Sequence, residues 1–399
     1  MKKVKLGTVL DVKRGTSLSG EHYATSGKYI RLTLGNFKYP DCGWKDNVSK
    51  DDIYFVGPIK KEFILNKGDI ITPLTAQVRG LLGNTATIPE SGKYIQSGDI
   101  GLVIPNEDEI DRRYSYYLLS SGVVKKQLDA GSQQTKIRHT SPDAIKNCYA
   151  YILEKKDQIK VARMLDFINK KIDINNRIND NLQQLITIIY DYYFSQFNFP
   201  DINNKPYKDS NNELKWCEKL KMMIPSKWEV KSIVNYFDIY QPETISNKEF
   251  NNSFKFKVYG GGGLIGRYTT YNHEDSEVII SCRGSCGNIY FTSPRSWITG
   301  NAMVVHPLTM HLSKYFIFEF LKRFGVEKYL TGSVQKQLTR ENLSLMNIFV
   351  PDNNTLTKFN NLVKSLFDKI IEIREENDEL LNLRNELLPL LINGQVIID

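Results

Sequence analysis

Two stretches of the sequence place small, amide-bearing and basic residues in the same order. The first runs Gly-Ser-Gln-Gln-Thr-Lys-Ile-Arg over 131–138, and the second runs Gly-Ser-Val-Gln-Lys-Gln-Leu-Thr-Arg over 332–340. A glutamine amide offers a donor and an acceptor that match the major-groove edge of adenine, and Arg or Lys matches guanine or a phosphate. Two such stretches suit two copies of a DNA reader, but the same composition is also common in solvated loops and at helix N-termini.

Other basic, amide and aromatic side chains could complete a DNA-reading surface. Singly, each of them is more often a surface residue than a base contact. The full set of predicted DNA-binding residues is Arg14, Arg31, Gln77, Arg79, Gln133, Gln134, Lys136, Arg138, Arg267, Tyr268, Arg283, Ser285, Gln335, Lys336, Gln337 and Arg340.

Patterns that would indicate cofactor or metal chemistry are weak by comparison. The sequence has no Gly-x-x-x-x-Gly-Lys-[Ser/Thr] phosphate loop and no Asn-Pro-Pro-Tyr-type amino-methyltransferase motif. The glycine run at 260–266 precedes β-prone residues, which favours a turn or a close backbone approach over a nucleotide site. Cys282 and Cys286 have no histidines at a zinc-module spacing, so we expect two buried thiols and no metal site.

Length and composition limit the classes of protein to which the chain can belong. The chain has 399 residues, of which 53 are Lys or Arg and 45 are Asp or Glu, giving a net charge of +8. Its length predicts two or three domains, and its charge permits a nucleic-acid partner without requiring one. The five cysteines are odd in number and scattered, which argues against a disulfide framework. With no apolar run of the roughly 18–20 residues that span a membrane, we expect a cytoplasmic protein.

The elements that must position these residues are repeated along the chain, at a spacing of about 200 residues. Each match is weak alone, but all of them occur in one order. The pairs include 10–12 with 237–239, 68–71 with 276–280, 83–84 with 287–288, and 128–134 with 329–335.

Each half ends in a long amphipathic pattern with a heptad spacing, one from Val161 to Tyr193 and one from Phe359 to Leu391. At an offset of 198 the two patterns superpose, with Asn179 on Asn377. The helices could each pack on their own domain, or they could pair with each other, in which case the asparagines would fix the register. The predicted seam residues are Leu165, Ile172, Asn179, Leu182, Leu366, Ile370, Asn377 and Leu380.

We therefore predict an α+β fold in which two mixed α/β domains are separated by two long helices. The helices pair as an antiparallel coiled coil, and the internal repeat has pseudo-two-fold symmetry. The predicted boundaries are 1–155 for the first domain, 156–198 for the first helix, 199–226 for a loop-like connector, 227–354 for the second domain and 355–394 for the second helix.

This order of elements resembles the specificity (S) subunit of Type I restriction-modification systems over essentially the whole chain. Three sets of residues carry the resemblance. They are 257–266 with 278–288, the Gly-Ser-x-Gln motifs at 131–134 and 332–335 before each long helix, and the connector at 199–208 with 224–230.

The resemblance implies a non-catalytic subunit that takes part in host defence. Each mixed domain would be a target-recognition domain that reads half of a bipartite, asymmetric sequence in double-stranded DNA. The paired helices would set the gap and dock two methyltransferase (M) subunits, which bind S-adenosylmethionine and methylate adenine. Restriction (R) subunits would add translocation and cleavage driven by ATP and Mg²⁺. No cofactor is then expected on this chain.

Two other hypotheses stay open on the sequence. A structural adapter with two protein-binding domains would be indifferent to neutralising Lys136, Arg138, Lys336 and Arg340 together. A nuclease would use Glu213 and Lys215, and metal-dependent nicking abolished by Glu213→Ala would support it.

Overall fold

The computed structural model describes residues 1–39, 41–47, 51–131, 138–201, 204–210, 213–251, 253–309, 311–332, 336–396 and 398. The chain forms two compact units. The first comprises Met1–Asp173 with Asn377–Asp399, and the second comprises Ile174–Glu376. Each unit combines strands and helices with part of each long helix, so the α+β class is confirmed.

The first mixed domain is built from short strands and short helices. Its strands are β1 (Lys2–Lys5), β2 (Leu10–Arg14), β3 (Tyr23–Ala24), β4 (Tyr29–Arg31), β5 (Tyr54–Phe55), β6 (Ile70–Pro73), β7 (Thr75–Ala76), β8 (Ala86–Thr87), β9 (Tyr94–Ile95), β10 (Ile100–Pro105), β11 (Arg138–His139) and β12 (Tyr149–Ile152). Its helices are α1 (Arg112–Leu119), α2 (Gly122–Gly131) and α3 (Pro142–Asn147), and the long helix α4 (Lys155–Tyr190) follows.

The main sheet of this domain has the order β2-β10-β6-β8, and all of its pairings are antiparallel. Every residue of β6 is buried, as expected for a strand that is covered on both faces. A second sheet has the order β3-β5-β4-β9, and the ends of the domain are tied by pairing of β1 with β12.

The second mixed domain repeats this topology. Its strands are β13 (Leu214–Cys217), β14 (Met222–Pro225), β15 (Glu229–Ser232), β16 (Phe237–Tyr240), β17 (Phe256–Gly260), β18 (Gly263–Tyr268), β19 (Val278–Ser281), β20 (Ile289–Phe291), β21 (Trp297–Ile298), β22 (Ala302–Pro307) and β23 (Asn347–Val350). Its helices are α5 (Lys314–Phe324) and α6 (Arg340–Ser344), before the long helix α7 (Asn353–Ile392).

Three features of the two domains correspond. The sheet β16-β22-β19-β20 matches β2-β10-β6-β8 in order, β15 pairs with β23 as β1 pairs with β12, and the parallel pair β17–β21 matches β4–β9. The internal repeat predicted from scattered motifs is therefore confirmed at the level of topology.

The long helices pair within each unit. In the first unit Arg384 of α7 donates to Asn169 of α4 (Nη1–Oδ1 3.3 Å). In the second, Asn175 of α4 donates to Glu376 of α7 (2.8 Å), and the ring of Phe194, which follows α4, lies 4.9 Å from that of Phe359. In the second unit the α7 numbers fall as the α4 numbers rise, so the pairing is antiparallel, as predicted.

The predicted seam is buried to different degrees. Leu165, Ile172, Asn179, Ile370 and Asn377 are buried. The other three predicted seam residues are half-buried; they are Leu182, Leu366 and Leu380. Next to Leu366, Phe367 is buried. The buried face of a straight helix shifts gradually relative to a strict heptad repeat, so the residue beside a heptad position can take its place.

The end of α7 completes the core of the first unit. Leu391 and Ile392 are buried there with Val161, Ala162 and Leu165 of α4. That core therefore joins residues from the beginning, the middle and the end of the sequence.

The prediction of a loop at 199–226 was wrong for residues 214–225. After α4 the chain makes a π-helical turn (Asp191–Ser195), and β13 and β14 then form a hairpin. The ring of Phe199 stacks on Tyr207 (4.9 Å) and on Trp228 (5.6 Å), and all three side chains are buried. Most residues of this segment are polar, and the aromatic side chains that anchor it are widely spaced. Its composition therefore predicted a loop.

None of the described helices combines the length and the apolar character that a bilayer span requires.

Candidate nucleic-acid interface

One corner of the main sheet gathers four of the five predicted DNA-binding residues that the structure describes in the first unit. Gly101 at the start of β10 pairs with Arg14 at the end of β2 and with Thr72 near the end of β6. After β6 the chain continues into β7, which pairs with β11. We call Arg14, residues 74–79 and residues 138–140 the first corner.

Backbone and side-chain contacts hold the first corner together. Thr140 donates its N–H to Leu74 O (2.8 Å), and Thr140 O accepts from Arg14 Nη2 (3.4 Å). Arg14, Gln77 and Arg79 are exposed. Arg138 is half-buried, with its Nη1 3.6 Å from Asp129 Oδ1, so part of its charge is neutralised within the domain. Four of the predicted residues thus share one basic, amide-bearing surface.

Arg31 lies elsewhere and is buried. Its Nη2 is 3.2 Å from Asp52 Oδ1, and its guanidinium lies over the Tyr23 ring at 3.8 Å. A buried guanidinium that is already paired and stacked offers no donors to a base edge. We therefore correct the prediction for Arg31 and assign it to the structure of the domain.

Four predicted residues, Gln133, Gln134, Lys136 and Gln335, lie outside the described residues.

The second unit has a corner at the equivalent place in its sheet. At the start of β22, Ala302 pairs with Ser281, the last residue of β19. The loop that follows β19 contacts residues 336–338, because Leu338 donates its N–H to Cys282 O (3.2 Å), as Thr140 does to Leu74 O. We call residues 282–285 and 336–338 the second corner. It exposes four of the predicted residues, Arg283, Ser285, Lys336 and Gln337.

Arg340 lies beside the second corner at the start of α6. Its Nη2 is 3.7 Å from Asp238 Oδ1, and both side chains are largely exposed. Such an exposed pair is weak, so Arg340 can exchange Asp238 for a phosphate at little cost.

The glycine run forms the tight turn between β17 and β18. The O atom of Gly261 accepts from Ser285 Oγ (2.7 Å), and a Cβ at Gly261 would lie 2.7 Å from Arg283 O. The predicted close backbone approach is confirmed, and it brings the turn against the second corner.

Arg267 and Tyr268 lie at the far end of β18 from this turn. Arg267 donates to Lys255 O (3.0 Å), and Tyr268 donates to Glu249 Oε2 (3.1 Å). Arg267 and Tyr268 lie four and five positions along the strand from Gly263, about 13 and 16 Å at roughly 3.3 Å per residue. The structure therefore does not bring these two predicted residues into the second corner.

Sequence reasoning missed Gln241, the counterpart of Arg14. The matching runs 10–12 and 237–239 place Arg14 on Gln241, immediately after β16, where its Nε2 donates to Gly300 O (3.0 Å). Extending the repeat by two residues would have found it. His139 was also missed; it is exposed beside Arg138 in β11.

The two cysteines near the second corner make only local contacts. Cys282 is buried, and burial raises the pKa of its thiol to about 11. Cys286 Sγ donates to Cys282 O (3.3 Å). In the part of the chain that the structure describes, no three His, Cys, Asp or Glu side chains are grouped so that they could hold a metal ion.

Comparison with known proteins gives one consistent result. A family model described as the Type I restriction modification DNA specificity domain matches residues 1–184 and 225–382. The Type I restriction enzyme MjaIX specificity subunit of Methanocaldococcus jannaschii is 21% identical over 334 residues, covering 74% of this chain and 72% of the relative. The HindI specificity subunit of Haemophilus influenzae is 21% identical over 404 residues, covering 83% and 87%.

A solved structure shows a similar fold. The S subunit of a Type I restriction-modification system from M. genitalium aligns with a TM-score of 0.59 and 17% sequence identity, covering 98% of this chain and 95% of that one.

Proposed function

Because the chain belongs to the family of Type I restriction-modification DNA specificity subunits, we propose that its two mixed domains are target-recognition domains, each reading half of a split DNA sequence. DNA recognition is the role of this family, and its members are not themselves catalytic. Specificity subunits work in assemblies with other subunits and with DNA.

The observation that carries the proposal is the pair of equivalent corners. Each lies where a central strand of the main sheet ends and a later backbone N–H, of Thr140 or Leu338, pairs with the residue that follows that strand. Each exposes Arg or Lys together with Gln, which are the side chains that read purine edges in the major groove. Two different sets of side chains on one repeated framework would read two different half-sites.

We propose that the paired helices set the number of unread base pairs between the half-sites. The support is the pairing of α4 with α7 in each unit and the mostly buried seam. A well-packed helix pair resists bending, and a half-site gap is a geometric property of the protein that binds it.

The outer face of α4 is the surface that we propose for docking a methyltransferase subunit. Ile174, Ile178, Leu185 and Ile188 are exposed, Ile174 by 54% and Ile188 by 64%. Their spacing of four, seven and three residues places them on one face of the helix. An exposed apolar stripe of this kind marks a protein interface.

We propose two copies of this partner because the domains and the long helices are repeated. The stripe itself is not repeated, since at the offset of 198 only Leu383 of α7 is apolar and the other three residues are Glu. In the proposed complex the methyltransferase subunits bind S-adenosylmethionine and the restriction subunits bind ATP and Mg²⁺, while this chain binds no cofactor. We propose that the complex works in the cytoplasm, where it meets cellular DNA.

The test is a genome-wide map of methylated adenines in cells with and without this chain. We expect a bipartite motif to disappear with the chain. Substituting Gln77 and Arg79 by Ala should relax the first half of the motif only, and substituting Arg283 and Ser285 should relax the other half. A matched control is Arg112→Gln, at the opposite end of the first sheet.

The adapter hypothesis makes the contrary prediction. If the methyltransferase co-purifies with the chain but both pairs of corner substitutions leave the motif unchanged, the corners do not read DNA.

A further inference from the structure

An arginine occupies an apolar position on the seam of α7. The heptad stripe runs from Asn377 to Leu391 through Arg384, and at the repeat offset of 198 this residue corresponds to Ile186, which is buried. The side chain of Arg384 is only 11% exposed. Burying a guanidinium where the repeat carries isoleucine is unfavourable unless specific partners compensate.

The partners of Arg384 come from three elements of the first unit. Its Nη2 contacts Asp41 Oδ1 in the first mixed domain, and its Nη1 donates to Asn169 Oδ1 on α4 (3.3 Å). Asn385 Oδ1 accepts from the same Nη2 at 3.0 Å. One planar guanidinium with directional donors thus joins α7, α4 and a loop of the domain.

The loop that carries Asp41 is fixed to its own domain. Asn84 is fully buried, and its Nδ2 donates to Lys38 O (2.8 Å) and to Asp41 O (3.2 Å). Lys125 of α2 contacts Asn84 Oδ1. Asn84 belongs to the repeated Gly-Asn pair, but its counterpart Asn288 is exposed, so this anchoring is particular to the first domain.

The same network continues through Asn169 to α1. Asn169 Nδ2 donates to the Tyr117 hydroxyl (2.9 Å), and that hydroxyl donates to Asp166 Oδ1 (2.8 Å). Tyr117 lies on α1 and is buried. The domain is therefore held on the two helices by polar contacts at two places, its loop at Asp41 and its helix α1.

Both domains make apolar contacts with the long helices, and in the second domain these contacts are largely between aromatic rings. Phe194 lies 5.2 Å from Phe316 of α5 and 4.9 Å from Phe359 of α7, and Thr187 adds a hydrogen bond to Glu319 (3.0 Å). Ring packing is less directional than a buried ion pair. The first domain adds directional polar contacts to the apolar ones that Val161, Leu165 and Leu391 make in its core.

We propose that Arg384 is a positioning residue for the methylation of split DNA sites. Through Asp41 it fixes the orientation of the first recognition domain on α4 and α7, and it thereby restricts the half-site gap that the complex accepts. Without this ion pair, the remaining apolar contacts allow the first domain to rotate relative to α4 and α7. The complex then accepts gaps that are one base pair longer or shorter. The inference rests on the proposed function.

The experiment measures the gap distribution of methylated sites in cells that carry the whole complex. The variants are Arg384→Met, which keeps the length of the side chain without its charge, and Asp41→Asn, which keeps the shape of the acceptor. The matched control is Lys369→Met, on the exposed face of α7.

In both variants we expect methylation at gaps one base pair from the native gap to rise about tenfold relative to the native gap. The half-site sequences and the control should not change. Exchanging the two charges, as Arg384→Asp with Asp41→Arg, should restore the native distribution. A purely structural role would lower methylation at every gap alike.

The inference is overturned if both variants keep the wild-type gap distribution. If Arg384→Met fails to accumulate, Asp41→Asn decides alone, because it is isosteric and its side chain is partly exposed. If no methylation in the unsubstituted strain depends on the chain, the proposed function fails first, and this inference fails with it.

Discussion

Neutralising two exposed arginines of the first corner should reduce the salt dependence of DNA binding by a calculable amount. Among the described residues, neither Arg14 nor Arg79 has an acidic partner within ion-pair distance, and both are exposed. An arginine of this kind releases counterions when it contacts a phosphate. Each contact contributes about 0.9 to the slope of log affinity against log salt concentration.

Substituting Arg14 and Arg79 by Gln should therefore lower the slope by about 1.8. Over a fourfold rise in salt, from about 50 to about 200 mM, the variant should lose about twelvefold less affinity than the wild type. Arg138→Gln should change the slope by less, because its charge is shared with Asp129.

The assay is fluorescence anisotropy of the complex with its methyltransferase, titrated into a labelled duplex that carries the methylated motif. Arg112→Gln is the control, because Arg112 pairs with Glu107 beyond the opposite end of β10. Equal slopes for the wild type and the double variant would refute the placement of DNA at the first corner. So would a control that lowers the slope as much as the double variant.

Three further outcomes follow from the second unit. Trp228→Ala should destabilise that unit by about 3–5 kcal/mol in urea unfolding, because it empties the centre of the aromatic core. Gly261→Ala should lower affinity for the motif about tenfold without unfolding the chain, since the new Cβ would displace Arg283 O from the turn. Burial and then His306 lower the pKa of His273 to about 4, below its ordinary 6.5. The unfolded chain therefore binds that proton first, so the free energy of unfolding should fall as pH drops from 6.5 towards 4, and less so in His273→Gln.

The two long helices were predictable because their buried residues recur with a heptad period in the sequence. Two matched heptad stripes give two helices, and Asn175 with Glu376 and Asn169 with Arg384 then show their pairing. The connector was not predictable in the same way. Phe199 and Tyr207 are anchored by Trp228, and a stacking partner that lies far away in sequence leaves no local period.

The candidate site was predictable only in composition. The composition near Gly131 and Gly332 predicted amide and basic residues beside the proposed corners. That the sheet ends bring Arg14 and Arg79 together depends on the tertiary structure and could not be predicted. The misassignment of Arg31 has the same origin. The sequence does not distinguish an exposed arginine from one that is paired within the domain, as Arg31 is with Asp52.

The contribution of α7 to the core of the first unit sets an order of events during synthesis. The second unit is one continuous segment, Ile174–Glu376, whereas the first must wait for Leu391 and Ile392. We therefore expect the usual order of domain folding on the ribosome, N-terminal domain first, to be reversed here. Limited proteolysis of stalled nascent chains would show protection of the second unit while residues 1–173 are still cut. The first unit then has the longest exposure to chaperones and proteases, although it is translated earliest.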